Sequence, residues 1–143
     1  MVEIKWNMSQ VKESKDLLIC EPKTVRAECC DMSTMAQESF QILTLNPKSK
    51  LIDRHLITLG LADSSLVHPR EVFRPAILDG ASSIILVHNH PSGDPTPSVE
   101  DIRITRQLIE AGNILGIKIL DHIVIGRGST PFISLRENGL ANF

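Results

Sequence analysis

Two histidines separated by one residue, His88 and His90, directly follow an apolar stretch of the chain. In an extended strand, side chains two positions apart point to the same face, so both imidazoles can approach one ion. Imidazole nitrogen is a common zinc ligand, and a catalytic zinc usually has three protein ligands and an open fourth position. The histidine pair therefore predicts a metal site that needs a third ligand from elsewhere in the chain.

Asp101 is the leading candidate for that third ligand. It follows a loop rich in proline and glycine, residues 91–97, and falls in the first turn of a helix predicted to begin at Ser98. Two imidazole nitrogens and one carboxylate oxygen form a donor set typical of catalytic rather than structural zinc. Asp94 is a rival third ligand, although its place between a glycine and a proline favours an Asx turn.

The same residues also have structural interpretations. Ser-x-x-Asp at the start of a helix is a capping pattern, in which Ser98 is the N-cap and Asp101 lies near the positive end of the helix dipole. Asn89 faces the opposite side of the strand from the histidines and is interpreted as structural. His122, on a later strand, is interpreted as a packing residue or as a partner of the metal ligands. Spacing alone leaves capping and metal ligation by Asp101 both open.

Apolar periodicity and turn residues predict the elements that must position this site. An apolar run from Ser83 to Val87 is typical of a central strand covered on both faces, and the histidines follow at its C-terminal end. Turn residues 46–49 between two strand-like segments predict a hairpin. The other predicted elements are a short strand at Val2–Trp6, a weak helix after Pro22, strands at 40–45, from 51 onward, 117–125 and 132–135, and helices beginning at Pro69 and at Ser98, the latter ending at Gly116.

Length and charge narrow the class of protein. A chain of 143 residues is long enough to bury one ordinary core, so a single globular unit is expected. The formal net charge is -2, and the basic residues are scattered, which disfavours a nucleic-acid-binding surface. The three cysteines form no CxxC pair, and we interpret them as reduced thiols. Because neither a signal peptide nor a membrane span is visible, a cytoplasmic protein is expected.

The metal pattern resembles a known family. His-x-His, seven residues, Ser, two residues and Asp is the signature of the JAMM (MPN+) metalloproteases. The resemblance is closest to the RadC-like branch of that family, over roughly residues 36–140. The runs that carry it are Val67–Phe73, Ala81–Gly93 and Leu120–His122.

This resemblance implies a cytidine-deaminase-like α/β fold, a three-layer α/β/α sandwich with a mixed central sheet. It further implies one zinc ion, held by His88, His90 and Asp101 with water as the fourth ligand, and hydrolysis of peptide or isopeptide bonds in a peptide or protein conjugate. The family's serine, which stabilises the tetrahedral intermediate, matches Ser98. Its general base is a glutamate on the first strand of the domain, and Glu38 fits that place better than the competing Glu71, which lies on a predicted helix.

Several alternatives remain open at this stage. We expect residues 1–35 to form an N-terminal extension of uncertain structure and 36–143 to form the RadC-like JAB/MPN catalytic domain. RadC-like proteins usually carry a helical segment before that domain, for which this chain has too few residues.

The runner-up function is a DNA-repair-associated accessory protein without strong intrinsic DNA binding. Nucleic acid is a possible partner only because of the family's name. A zinc deaminase is disfavoured because its H-x-E and P-C-x-x-C signature is missing. A metal-free MPN scaffold is disfavoured because the metal-ligand residues are present. The oligomeric state and the substrate stay open.

Overall fold

A five-stranded sheet is the centre of the chain in the computed structural model, which describes residues 12–60, 66–128 and 131–143. The strands are β1 Ser39–Leu45, β2 Leu51–Leu59, β3 Ser83–Asn89, β4 Lys118–Ile125 and β5 Phe132–Ser134. Their order across the sheet is β2-β1-β3-β4-β5. Strands β3 and β4 are parallel, and the other neighbouring pairs are antiparallel, so the sheet is mixed.

Helices cover both faces of this sheet. They are α1 Pro22–Glu28, a 3-10 helix Cys30–Thr34, α2 Pro69–Leu78 and α3 Val99–Leu115. Apolar residues of α2 and α3 pack on one face, where Phe73 and Leu108 join Leu86 of β3 in one buried cluster. Residues of α1 and the 3-10 helix pack on the other face, where Val25 and Met32 join β3, β1 and β4 residues in a second cluster. The chain is therefore a three-layer α/β sandwich, as the family resemblance implied.

Helix α3 forms the connection that brings the candidate site together. Parallel strands need a crossover, and α3 provides it between β3 and β4. The helix has its N-cap at Ser98 and ends at Gly116, whose φ of 73° is the left-handed conformation that glycine adopts readily. Both ends were predicted from the sequence. The loop between β3 and α3 leaves the start of the helix close to the end of β3, where the histidines lie.

Most of the remaining predicted elements are confirmed, with small shifts at their ends. The hairpin forms around Asn46, whose side-chain oxygen accepts hydrogen bonds from the backbone of Lys48 and Lys50 at 2.9 and 3.0 Å. Strand β4 begins one residue later than predicted and β5 ends one residue earlier. The strand predicted at Val2–Trp6 lies outside the described residues. Within the described ranges, no helix is both long and apolar enough to cross a membrane.

Candidate metal centre

The C-terminal end of β3 carries the histidine pair. His88 is the penultimate residue of this strand, and His90 follows it with its backbone N–H still bonded to the Ile125 carbonyl of β4 at 2.8 Å. The two imidazole rings are 4.7 Å apart, measured between centroids. The extended backbone thus places both side chains together, as the spacing predicted.

Antiparallel pairing of β1 with β3 brings Glu38 to the same place. Phe40 pairs with His88 in the sheet, and Glu38 immediately precedes β1. The Glu38 carboxylate contacts Nε2 of His88. Glu71, the competing candidate, is exposed in the first turn of α2 and makes no hydrogen bond or ion pair with either histidine in the described ranges.

Asp101 reaches both histidines from the start of α3. One carboxylate oxygen, Oδ1, lies 3.4 Å from Nδ1 of His88, and the other, Oδ2, lies 3.1 Å from Nε2 of His90. Asp101 and His88 are each only 2% exposed. A buried carboxylate is stable only when it is hydrogen-bonded or paired with positive charge, so this contact is electrostatically important.

The orientation of the His90 ring determines which of its nitrogens faces Asp101. Its Nδ1 lies 2.9 Å from the main-chain carbonyl of Asp94. A carbonyl can only accept, so the hydrogen must be on Nδ1, and in the neutral ring Nε2 then carries a lone pair. That lone pair faces a carboxylate oxygen of Asp101. Two acceptors at this distance require a proton or a metal ion between them.

The pKa of His90 reflects the same conflict. Burial lowers it, but the bonds to Asp101 and to the Asp94 carbonyl outweigh burial, and the pKa is raised above its ordinary value. A hydrogen bond from the far ring nitrogen to a carbonyl is also the arrangement by which proteins orient metal-binding histidines. The site can therefore hold either a proton or a cation at Nε2.

The donor atoms fit a metal such as zinc. Ligand atoms of Glu38, His88 and His90 all lie within 4.8 Å of one another. Buried Nδ1 of His88 makes no hydrogen bond within the described residues, although Oδ1 of Asp101 lies 3.4 Å away. Imidazole nitrogens with carboxylate oxygens suit zinc. This group contains Glu38 and not Asp101, which contacts the same histidines from the helix side.

The capping interpretation of Ser98 and Asp101 is confirmed, and it coexists with the contacts to the histidines. The backbone N–H of Asp101 donates to Ser98 Oγ at 3.0 Å, and the backbone N–H of Ser98 donates to Asp101 Oδ2 at 2.9 Å. These two bonds form a complete capping box. Asp101 can do both because its Oδ1 remains directed at His88. Asp94, the rival ligand, instead makes the expected Asx turn with Thr96.

Asn89 is structural in a way the sequence did not reveal. Its side-chain oxygen accepts from the backbone N–H of Ser39 at 2.6 Å and from the Ser39 hydroxyl at 2.9 Å. Its side-chain nitrogen donates to the Gln37 carbonyl at 3.0 Å. The buried amide thus fixes the backbone on both sides of Glu38. No local signal could have shown this, because the partners are about fifty residues away.

His122 belongs to the same neighbourhood. Its Nδ1 lies 2.6 Å from the hydroxyl of Thr105, and its ring packs against Phe40 and His88. Burial, together with the nearby His88, lowers the pKa of His122 to about 3, so its ring is neutral at physiological pH. Sequence reasoning gave this residue a packing or partner role, which agrees with its position.

A second group of possible ligands lies elsewhere on the sheet and was not predicted. Asp53, His55 and Asp79 bring ligand atoms within 4.8 Å of one another. The ammonium of Lys12 contacts Asp53 and lies 3.5 Å from Asp79, and His55 Nε2 lies 2.6 Å from Asp79. This group already contains a cation, and we interpret it as an ion-pair network.

Comparisons with known proteins agree with the fold and the motif. The family described as the RadC-like JAB domain matches residues 19–140. Among curated relatives, the UPF0758 protein TTE0897 of Caldanaerobacter subterraneus subsp. tengcongensis is 56% identical over 113 residues, which cover 79% of this chain and 48% of the relative. The UPF0758 protein lmo1549 of Listeria monocytogenes is 45% identical over 139 residues, 96% of this chain and 61% of the relative.

The UPF0758 protein YsxA of Bacillus subtilis is 53% identical over 109 residues, 76% of this chain and 46% of the relative. The chain thus spans about half to three-fifths of the length of these relatives. Their names state no activity. The family match covers all five strands of the sheet, and the chain therefore belongs to the RadC-like JAB domain family.

Proposed function

We propose that this chain is a zinc-dependent hydrolase of peptide or isopeptide bonds. The observation that carries the proposal is the contact between Nε2 of His90 and the Asp101 carboxylate, 3.1 Å apart, where a metal ion or a proton must lie between two acceptors. In this proposal His88, His90 and Asp101 hold one zinc ion and water takes the fourth position. When bound, zinc lowers the pKa of its water and polarises the scissile carbonyl.

Glu38 is proposed as the general base. A base must reach the attacking water and the leaving amine, and the Glu38 side chain is 20% exposed whereas that of Asp101 is 2% exposed. Asp101 is the better permanent ligand for the same reason. Glu38 takes a proton from the attacking water and later returns it to the departing amine.

Ser98 is proposed to stabilise the negative oxygen that develops during attack. Its hydroxyl oxygen accepts the Asp101 N–H, which leaves the hydroxyl hydrogen to donate to substrate. The residue is exposed, so a substrate oxygen can reach it. Removing one such donor in other hydrolases costs roughly 3 to 4 kcal/mol of transition-state stabilisation.

Metal binding tests the centre of this proposal. The purified chain should bind about one zinc ion, as expected for a catalytic site of this type, and chelator competition gives the affinity. His90→Ala and Asp101→Asn should weaken that affinity strongly. His55→Ala, which removes a histidine from the ion-pair network, is the matched control and should leave it unchanged.

The hydrolytic part needs a separate test. Zinc-loaded protein should cleave members of a panel of peptides and isopeptide-linked protein conjugates, and Asp101→Asn protein should not. A wild-type chain that binds no zinc, or that loses zinc equally in His55→Ala, would contradict the metal site. A zinc-loaded chain that cleaves no conjugate would contradict the proposed reaction while leaving the metal site intact.

A further inference from the structure

His122 lies on the same face of the sheet as the candidate ligands. It pairs with Leu86 across β3 and β4, and Leu86 and His88 are two positions apart on β3, so all three side chains point toward α2 and α3. The His122 residue is fully buried. It therefore stands directly beneath the start of α3, on which Asp101 lies.

The direction of two hydrogen bonds can be assigned from chemistry alone. The Thr105 hydroxyl lies 2.6 Å from the main-chain carbonyl of Asp101 and 2.6 Å from Nδ1 of His122. A carbonyl cannot donate, so the hydroxyl hydrogen points to Asp101. His122 must then donate its Nδ1 hydrogen to the hydroxyl oxygen. The chain of donors runs from the sheet through Thr105 to the peptide of Asp101.

We propose that His122 and Thr105 are positioning residues that hold Asp101 against His88 and His90. This inference rests on the proposed metal site. The bond from β4 to Thr105 fixes the second turn of α3 relative to the sheet. The bond from Thr105 fixes the peptide group of Asp101 itself, one bond from the Cα that carries the carboxylate. Partners that orient metal ligands in this way contribute to metal affinity in proteins.

Packing alone does not account for an imidazole at this position. Nε2 of His122 is buried and has no hydrogen-bond partner in the described residues. An apolar side chain would fill the same space between Phe40 and His88 without an unpaired nitrogen. What the imidazole offers and an apolar residue does not is the Nδ1 donor to Thr105.

Two pairs of variants separate positioning from packing. Thr105→Val keeps the shape of the side chain and removes the hydroxyl, and Thr105→Ser keeps the hydroxyl. His122→Asn retains a donor nitrogen at the position of Nδ1, while His122→Gln places its polar group at the position of Nε2. Ser134→Ala is the control, because it removes a buried β5 hydroxyl that bonds Asp121 at 2.6 Å and leaves the side chains of Thr105 and His122 unchanged.

Zinc affinity by chelator competition is the readout, and thermal unfolding of the zinc-free proteins is measured beside it. We expect Thr105→Val and His122→Gln to weaken zinc binding about 10- to 100-fold, whereas Thr105→Ser and His122→Asn stay near the wild-type affinity. Ser134→Ala should lower stability and leave zinc affinity unchanged.

The outcomes distinguish this inference from the function it rests on. If the wild-type chain binds no zinc, the proposed metal site is wrong. If the wild-type chain binds zinc and Thr105→Val binds it equally well, the positioning role is wrong and the metal site stands. Equal losses in Ser134→Ala and Thr105→Val would also overturn the inference, since both would then reflect general loosening of the fold.

Discussion

The side-chain amide of Asn89 holds the backbone on both sides of Glu38. It accepts hydrogen bonds from Ser39 and donates one to Gln37, and Asn89 itself lies between the two candidate histidine ligands. One residue of β3 therefore fixes the spacing between the proposed base and the proposed ligands. The Asn89 side chain points away from the histidines, so it can do this without entering the site.

Asn89→Ala should separate zinc binding from turnover. The variant keeps all three proposed ligands, so zinc affinity should stay within a few-fold of wild type, whereas the loosened Glu38 should lower the rate of hydrolysis about 100-fold. Stability should fall by about 1 to 3 kcal/mol because buried backbone groups lose their partner. Asn46→Ala is a matched control, since it also removes an asparagine that binds backbone N–H groups but lies in the hairpin turn. Equal turnover in the two variants would argue against a link between Asn89 and Glu38.

Glu38→Gln should abolish turnover while zinc stays bound. The amide cannot accept the proton of the attacking water, and general base catalysis typically contributes about 100- to 10,000-fold. Glu71→Gln is the control, because Glu71 is the competing glutamate and lies exposed on α2. The rate of hydrolysis and the zinc content of both variants decide which glutamate is the general base. Loss of turnover in Glu71→Gln, with Glu38→Gln active, would move the base to α2.

The contrast between these two glutamates shows what a sequence can and cannot predict. Pro69 and the apolar spacing on α2 are local signals, so the exposed helical position of Glu71 was predictable. The proximity of Glu38 to His88 depends on pairing between β1 and β3, strands separated by the hairpin and α2. No local pattern specifies that pairing, and Glu38 was assigned from the family resemblance. The same reason explains why the partners of Asn89 and the network around Asp79 were not predicted.

Ser98→Ala should weaken both the helix and the site. Loss of the N-cap hydroxyl should cost about 1 kcal/mol of stability, and zinc affinity should fall as well because the Asp101 backbone loses its partner. Ser98→Thr keeps the hydroxyl and should restore both. Chemical unfolding and chelator competition on the same preparations provide the measurements. Unchanged stability in Ser98→Ala would contradict the capping role.

Cysteine reactivity should divide the three thiols in the native protein. Cys20 and Cys30 are exposed, whereas Cys29 is buried and burial raises the pKa of its thiol to about 12. Because the thiolate is the reactive form, an alkylating reagent at neutral pH should modify Cys20 and Cys30 and spare Cys29. Peptide mass spectrometry identifies the modified sites, and unfolded protein, in which all three should react, is the control.

The pair of Asp31 and Arg54 should contribute to stability in a pH-dependent way. The two terminal guanidinium nitrogens of Arg54 each lie 2.8 Å from an Asp31 carboxylate oxygen, and these bonds hold the pKa of Asp31 below its ordinary value. A lowered pKa in the folded state stabilises the protein above the ordinary pKa of the acid, near 3.8, and that contribution is lost as the pH falls through the folded value.

Asp31→Asn should therefore lower stability at pH 7 by about 0.5 kcal/mol, a small effect because the pair is partly exposed to solvent. The difference in free energy of unfolding between this variant and the wild type should shrink as the pH falls below the ordinary aspartate pKa. Chemical unfolding between pH 7 and pH 3 measures it. Asp16→Asn is the control. Asp16 pairs with Lys50 and is more exposed than Asp31, so its loss should leave the free energy of unfolding unchanged at each pH. A difference for Asp31→Asn that is constant with pH would contradict the assignment.

The capping box at the start of α3 has a consequence for uptake of the proposed zinc ion. Helix starts are costly when their N–H groups lack partners, and here Ser98 and Asp101 supply those partners to each other from within the polypeptide. The crossover helix is therefore complete before any ion arrives. We expect zinc binding to be reversible and not to require folding of the chain around the ion. Protein from which zinc has been removed by a chelator should therefore bind zinc again when a zinc salt is added, without a refolding step.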